Sequence, residues 1–269
     1  IHTLLTGNCR HLKTWMMSMP PARGGTTYFN FLASHDGIGM RPADGLLSEA
    51  EKFSLLDTLR SFGGKVSLRT GPDGAQKPYE VNISLIDALA GTHEGRDEFQ
   101  VDRFICAHAI RLALEGIPGI YIHSLLGTSN DYEGLARTGQ YRSINRHTWQ
   151  QAELQRLLVD PESPQSTVLG RLRHLISLRR EQKAFHPNAT QFTLQLGLET
   201  FGIWRQSMDR RQDIFSISNI TPEHQSLELA NINLISTDDW RDLVSNTPLD
   251  KDQASLELAP YQTVWLTNA

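Results

Sequence analysis

An imidazole and a carboxylate stand side by side at His35 and Asp36, where together they can donate and accept hydrogen bonds around a polar ligand. They follow residues 26–34 (TTYFNFLAS), an apolar run rich in aromatic and β-branched residues that predicts a buried parallel strand. Gly37 and Gly39 come directly after the pair. Parallel barrels place catalytic side chains where strands give way to loops. A His-Asp pair also serves as a turn former or helix cap, so both interpretations stay open.

The elements around this pair alternate between strands and helices, which indicates a parallel sheet or barrel. Ser48 is predicted to cap a helix over residues 48–62, with Glu51 completing a capping box. The rest of residues 37–90 is predicted to be a loop insert. The other elements predicted before residue 186 are helices over 1–19, interrupted at Gly7, over 97–114 and over 166–185, a buried strand over 119–123, and a loop over 126–149.

The pattern changes after residue 186 to short alternating strands separated by turn residues. We therefore predict a domain boundary near residue 186, followed by an all-β domain of about six to eight strands. The strands are predicted over residues 191–196, 200–205, 213–217, 227–229, 255–258 and 263–266.

Composition argues against several classes of partner. The chain has 269 residues, a net charge of −4 and 21% charged residues, so it carries no electrostatic footprint for nucleic acid. Its apolar runs are too short to span a membrane. Cys9 and Cys106 lack a paired spacing, which favours a reducing, cytoplasmic location. Because metal-ligand spacings and a glycine-rich phosphate loop are both missing, neither a metal nor a cofactor is predicted, and His108 is predicted to be a core residue.

Five motifs stand in order along the chain: residues 31–39 (FLASHDGIG), 78–82 (PYEVN), 116–121 (GIPGIY), 141–146 (YRSINR) and 258–262 (LAPYQ). They resemble motifs of the α-amylase superfamily, and in particular of its sucrose-phosphorylase-like branch. The resemblance implies an α/β plus all-β fold. Residues 1–185 would form the C-terminal part of a (β/α)8 TIM barrel with a loop and helix insert at 37–90. Residues 186–269 would form an antiparallel β-sandwich.

The resemblance also implies roles in retaining glucosyl transfer, which uses a carboxylate nucleophile and a carboxylic acid. Asp36 would be a third carboxylate, which stabilises the transition state without bonding covalently to the sugar. His35 and Arg146 would hold the glucosyl ring, with Arg142 nearby. Without the resemblance, arginines in a solvated loop would be read as makers of surface ion pairs.

The implied acceptor loop departs from the sucrose-type pattern. Tyr79 and Glu80 are implied to lie on a loop that lines the acceptor site, but Lys77 stands where that pattern has an acidic residue. Together with Arg41 in the insert, Lys77 favours an anionic acceptor such as a sugar phosphate or glycerate, and fructose stays open as another acceptor. The implied reaction moves glucose between an α-glucoside and inorganic phosphate, giving glucose 1-phosphate.

The two reacting carboxylates of the family are not found in their usual places, which lie well before the seventh strand. Residues 211–213 (RQD) match the nucleophile motif in letters but fall at a predicted turn, and Glu49, Glu51 and Glu94 fall on helix surfaces or loops. Because the sequence begins with Ile1 rather than Met, we expect a longer protein whose N-terminal half completes the barrel. The chain alone is expected to be inactive, and to associate with that half or with itself as a homodimer.

Two other functions fit the same residues. An amylase-type hydrolase or transglucosidase would use water or another sugar in place of phosphate. Alternatively, the β-domain would be a carbohydrate-binding module in which Trp204, Trp240 and Trp265 stack on sugar rings, unless strand alternation places them in the core.

Overall fold

The computed structural model describes residues 1–71, 74–234 and 237–269, which form two compact units. The first unit consists of Ile1–Leu5, Phe31–Phe104 and Ile120–Arg171, and the second of Thr6–Asn30, Ile105–Gly119 and Leu172–Ala269. These units do not follow the boundary near residue 186, which stays a prediction. Among the described residues, no helix has both the length and the hydropathy that a membrane crossing requires.

Local signals in the sequence predict most of the longer helices correctly. The helices are α1 His2–Thr6, α2 Arg10–Ser18, α3 Glu49–Ser61, α4 Leu85–Ala88, α5 Gln100–Ala113, α6 Ile122–Leu125, α7 Tyr132–Thr138, α8 Gln151–Val159 and α9 Pro164–Glu181. The Ser48 hydroxyl accepts from the Glu51 backbone N–H while the Glu51 carboxylate accepts from the Ser48 backbone, so the capping box of α3 is confirmed. The predicted loop over 126–149 is wrong in part because it contains α7, and α8 has no counterpart among the predicted elements.

The described residues form more strands than the sequence predicts, and several of those after residue 186 are longer than predicted. They are β1 Phe29–Asn30, β2 Ile38–Gly39, β3 Lys65–Thr70, β4 Gln76–Asn82, β5 Gly91–Thr92, β6 Gly95–Arg96, β7 Ile117–Pro118, β8 Thr190–Thr193, β9 Thr200–Gln206, β10 Asp213–Asn219, β11 Gln225–Glu228, β12 Arg241–Asp242, β13 Thr247–Pro248, β14 Ser255–Leu258 and β15 Thr263–Thr267. Short 3-10 turns lie at Arg41–Ala43, Tyr141–Asn145, Lys183–Phe185 and Leu229–Ile232.

The first unit contains a three-stranded antiparallel sheet in the order β2-β4-β3. Ile38 pairs with Val81 and Gly39 with Glu80, and a bulge shifts the register of β3 on β4. The prediction of a loop outside α3 is therefore wrong for this insert. The first four residues of β4 are exposed and its last three are buried, so the strand carries Glu80 into the interior.

β1 and β7 form a parallel pair in the second unit, with Phe29 opposite Ile117 and Asn30 opposite Pro118. The strand predicted over residues 26–34 is wrong in extent, because only Phe29–Asn30 is paired. The strand predicted over 119–123 is wrong in position, because β7 lies just before it and α6 begins at Ile122. The prediction of burial is also wrong, since Phe29 is 65% and Ile122 53% exposed. Parallel strands are normally buried by neighbours on both edges and both faces. Here each has a single paired neighbour among the described strands.

Strands β8 to β15 are antiparallel, as predicted for this part of the chain. Six of them form a sheet in the order β13-β12-β15-β10-β9-β8, and β11 pairs with β14 in a second sheet. One apolar cluster contains side chains from both sheets, and its buried members are Phe215, Ile217, Leu227, Leu229, Ile232, Leu234, Leu258, Val264 and Leu266. This shared cluster is the core of the β-rich region.

The three tryptophans of the β-rich region take part in packing. Trp265 is fully buried. Trp204 stacks on Phe192 with ring centroids 4.9 Å apart, and Trp240 stacks on Phe215 at 5.5 Å. These contacts use the ring faces that a stacked sugar would need, so the tryptophans do not support the interpretation of this region as a carbohydrate-binding module.

The guanidinium groups of the half-buried Arg179 and the buried Arg205 hold the C-terminal end of α5. Arg179 Nε donates to the carbonyl oxygen of Leu112 at 2.6 Å, and Arg205 Nη1 donates to that of Ala113 at 2.6 Å. Arg205 also donates to three carbonyl oxygens between residues 186 and 190. Burial and the charge of Arg179 lower the pKa of Arg205 to about 10, so its guanidinium remains charged at neutral pH. Cations at this position complement the negative end of the helix dipole.

Candidate functional site

The backbone of Ser34, His35 and Asp36 is held by the segment that follows the GIPGIY motif. Asn145 Nδ2 donates to the carbonyl oxygen of Ser34 at 2.8 Å, and Arg146 Nε donates to that of His35 at 2.9 Å. The backbone N–H of Asp36 donates to the Ser34 hydroxyl at 3.2 Å. The predicted proximity of the His-Asp pair to the arginine loop is therefore observed, and it arises from side chains that bind backbone rather than from strand pairing.

Three basic side chains make their shortest contact with the same oxygen of Asp36. Arg142 Nη1 lies 3.0 Å from Asp36 Oδ1, Arg146 Nη2 lies 3.4 Å from it, and His35 Nε2 lies 3.6 Å from it. Oδ2 therefore makes fewer short contacts with basic side chains than Oδ1 does. The Asp36 side chain as a whole is 39% exposed. A carboxylate held in this way can accept a hydrogen bond from an added hydroxyl group without losing its cationic partners.

Glu80 and Arg142 form a bidentate pair beside this carboxylate. Arg142 Nε donates to Glu80 Oε1 at 2.9 Å and Arg142 Nη2 donates to Oε2 at 3.0 Å. The hydrogen bonds to Glu80 and its negative charge raise the pKa of Arg142 above its usual value. Glu80 itself is buried and lies on β4, so the prediction that it lies on a loop is wrong, while its role at the acceptor site stays a prediction.

Gly37 brings the Asp36 segment close to β4. A Cβ atom at this position would lie 2.9 Å from the Val81 carbonyl oxygen and 3.0 Å from the carboxyl carbon of Glu80. Real Cβ atoms almost never approach other atoms so closely. The glycine after the His-Asp pair is therefore explained by contact with the strand that carries Glu80.

Tyr121 and Asn145 are positioning residues that the sequence analysis did not assign to the site. The Tyr121 hydroxyl donates to the Asn145 carbonyl oxygen at 2.8 Å, while the Asn145 side chain holds Ser34. Burial is the main cause that raises the pKa of Tyr121, and the charge of Asp36 adds to it. Both residues lie inside the motifs described above: Tyr121 is the last residue of GIPGIY and Asn145 the fifth of YRSINR.

The other predicted acceptor residues lie around the same sheet. Tyr79 is 42% exposed on β4, and its carbonyl oxygen accepts from the Met40 backbone N–H at 3.0 Å. Lys77 is opposite Arg69 in the pairing of β3 with β4, and Arg41 begins the 3-10 turn after β2. Neither position tests an acceptor role for Lys77 and Arg41, so that role stays a prediction.

The carboxylates considered as alternatives for catalysis have structural contacts. Asp213 begins β10 and accepts from Trp204 Nε1 at 2.8 Å. Glu49 pairs with Lys52 at 2.5 Å, Glu51 forms the capping box of α3, and Glu94 lies exposed in the turn between β5 and β6. These contacts agree with the structural roles expected for them.

Comparisons with known proteins link the chain to a group of phosphorylases. It is 36% identical over 267 residues to glucosylglycerate phosphorylase of Escherichia coli strain K12, a match that covers 99% of this chain and 46% of that relative. The corresponding enzyme of Allomeiothermus silvanus is 37% identical over 267 residues, with 99% and 45% covered. Sucrose phosphorylase of Agrobacterium vitis is 34% identical over 197 residues, with 69% and 36% covered. The chain thus spans about half the length of the curated relatives it matches.

A solved structure shows the same partial coverage. The structure of sucrose 6F-phosphate phosphorylase from Thermoanaerobacter thermosaccharolyticum matches 81% of this chain and 41% of its own, with a TM-score of 0.67 and 24% identity. The described fold is therefore like part of that enzyme. No protein-family model matches the chain.

Proposed function

Because the chain belongs to the sucrose-phosphorylase-like branch of the α-amylase superfamily, we propose that it supplies the sugar-holding part of a retaining α-glucoside phosphorylase. The reaction would transfer a glucosyl unit from an α-glucoside to inorganic phosphate and release glucose 1-phosphate. The observation that supports this proposal best is the Asp36 carboxylate, which is fixed through one oxygen by two arginines and has a second, less engaged oxygen.

In this proposal Asp36 acts on the distorted sugar. A retaining transfer passes through an oxocarbenium-like transition state, and hydrogen bonds to ring hydroxyls that strengthen in that state accelerate the reaction. A carboxylate already oriented by Arg142 and Arg146 needs little reorganisation to accept those hydroxyls. His35, which is 67% exposed beside it, would donate to the same ring. The nucleophile and the general acid would come from outside this chain.

Glucosylglycerate is the donor that we propose. Relatives named glucosylglycerate phosphorylase match 99% of the chain, whereas the sucrose phosphorylase of Agrobacterium vitis matches 69%. A glycerate carboxylate would suit the cationic side chains of Lys77 and Arg41, and the hydroxyl of the exposed Tyr79 would donate a hydrogen bond to it. Glucose 1-phosphate would then form once phosphate takes the place of glycerate.

A chimaera tests the proposal. The 267 residues of the E. coli relative that match would be replaced by this chain, and the folded product assayed with glucosylglycerate, sucrose and sucrose 6-phosphate. We expect phosphate-dependent release of glucose 1-phosphate, fastest with glucosylglycerate. Asp36→Asn should lower kcat by about 100-fold or more, because removing one group that stabilises the transition state costs this much.

Other products would contradict the proposal. A folded chimaera that releases free glucose without needing phosphate would be a hydrolase. A chimaera whose kcat survives Asp36→Asn would show that Asp36 has no part in the transition state. Replacing Lys77 and Arg41 by alanine together should raise the KM for glucosylglycerate relative to that for sucrose, and an unchanged ratio would remove these two residues from the acceptor site.

A further inference from the structure

Glu80 is a nearly enclosed carboxylate, both of whose oxygens are already bound to Arg142. One oxygen accepts from Arg142 Nε at 2.9 Å and the other from Arg142 Nη2 at 3.0 Å, and the residue is 5% exposed. A buried carboxylate that is matched on both oxygens by one guanidinium is oriented by that pair. An acceptor could reach Glu80 only through the small exposed part of its surface, and the charge of the carboxylate is already matched by Arg142.

The same guanidinium reaches Asp36 with its third nitrogen. Arg142 Nη1 lies 3.0 Å from Asp36 Oδ1, while Nε and Nη2 face Glu80. Because the guanidinium is planar and rigid, fixing two of its nitrogens fixes the direction of the third. We infer that Glu80 is a positioning residue, which holds the Asp36 carboxylate through Arg142 instead of binding substrate itself.

The surroundings of Glu80 and Arg142 indicate that Glu80 orders Arg142 and not the reverse. Glu80 lies in the buried half of β4 and is paired in register with Gly39, so its backbone is fixed by a sheet. The Arg142 side chain is 40% exposed and comes from a short 3-10 turn. A long exposed side chain without a partner occupies many rotamers. The buried acid therefore orders the exposed arginine, and the arginine orders Asp36.

Side-chain couplings measured on the chain itself test the inference. Three-bond NMR couplings across the Cα–Cβ bond of Asp36 report the populations of its staggered rotamers. We expect one dominant rotamer in the unaltered chain. Glu80→Gln, which keeps the shape but removes the charge and one acceptor oxygen, should lower the population of that rotamer by about twofold as other staggered states become populated. Glu133→Gln on exposed α7 is the matched control and should change nothing.

The variant Arg142→Gln tests whether Glu80 acts on Asp36 through Arg142. Because Arg142 carries the effect, this variant should change the Asp36 couplings as much as Glu80→Gln does, and the double variant should change them no further. If Glu80→Gln does not fold, Glu80→Asp replaces it, since the shorter acid keeps the charge and loses the bidentate geometry. Unchanged Asp36 couplings in a folded Glu80 variant, or additive effects in the double variant, would overturn the inference.

The inference rests on the proposed function only in taking Asp36 as the residue that meets the sugar, and the two can fail separately. In the chimaera, Glu80→Gln should lower kcat about 10–100-fold with a smaller change in KM, as expected for loss of a group that orients a catalytic one. If Asp36→Asn leaves kcat unchanged, the proposed function fails, while the couplings still decide whether Glu80 positions Asp36.

Discussion

His108 is a titratable residue whose charge the fold suppresses. It lies buried on α5, and Arg111 Nη2 is 3.3 Å from its Nδ1. Burial, together with the charge of Arg111, lowers the pKa of His108 to about 3 from its usual 6.5. The imidazole is therefore neutral at physiological pH, which agrees with the core role expected from the apolar stripe of its helix.

Acid should destabilise the chain through His108. The unfolded state binds a proton near pH 6.5 and the folded state only near pH 3, so this contribution is complete above pH 6.5 and is lost as pH falls between these values. The free energy of unfolding should decrease by roughly 2 kcal/mol from pH 7 to pH 5 on this account. Urea titrations at both pH values measure this decrease in the free energy of unfolding.

Two variants test whether His108 causes the decrease. His108→Asn should remove most of the pH dependence, and His224→Asn on the surface should keep it. Equal pH dependence in both variants would contradict the assignment to His108.

Gly37 connects the identity of a single residue to the geometry of the site. Gly37→Ala should destabilise the fold by roughly 1–3 kcal/mol, because the new Cβ meets backbone and the carboxyl carbon of Glu80 at about 3 Å. Gly39→Ala is the matched control, since its Cβ has Pro42 Cδ at 3.9 Å as its nearest neighbour. Denaturant titration compares the two. If both variants unfold at the same denaturant concentration, close approach to β4 is not the reason for glycine at position 37.

At the scale of elements, the end of α5 depends on cations that lie far from it in sequence. Arg205→Met should lower the free energy of unfolding by about 3 kcal/mol, since several charge-assisted bonds to carbonyl oxygens disappear and the oxygens of Ala113 and Ala189 stay buried. Arg173→Met on the exposed side of α9 should lie within about 0.5 kcal/mol of the unaltered chain. Calorimetry or urea unfolding decides, and equal stabilities would mean that water or other donors replace Arg205.

The helices and strands differ in how well local sequence patterns predict them. The capping box at Ser48 and the apolar stripe of α5 are local patterns, and both helices lie where these patterns predict them. β4 pairs with β2, which is distant in sequence, as well as with β3, which directly precedes it. Its own residues 76–82 do not alternate clearly between apolar and polar types, so they resemble a loop. The motifs predict that Asp36 and Arg142 share a site. They do not predict the bidentate pair with Glu80, because that pair depends on the register of β4.

At the scale of the whole molecule, β1 and β7 are an isolated parallel pair. They contribute two residues each and have no other paired strand among the described residues. Phe29 and Ile117 remain largely exposed beside each other. Isolated two-stranded pairs are marginal in water, and parallel pairs are normally covered on both faces. We therefore propose that polypeptide corresponding to the rest of the curated relatives, of which the chain spans 46% and 45%, supplies the missing neighbours.

We therefore expect catalytic activity to require both this chain and the polypeptide that supplies the neighbours of β1 and β7. The purified chain should produce no glucose 1-phosphate from glucosylglycerate and phosphate above background, because retaining transfer needs a nucleophile and an acid about 5 Å apart and the site offers Asp36 and a Glu80 already bound to Arg142. Adding the part of the E. coli relative outside the matched region, which should be inactive by itself, should restore turnover.

Phe29→Lys should weaken that restoration by burying a charge at the new contact, whereas Phe53→Lys on exposed α3 should not. Turnover by the chain alone would show that its own carboxylates suffice, and equal restoration by both variants would show that the β1-β7 pair is not where the halves meet.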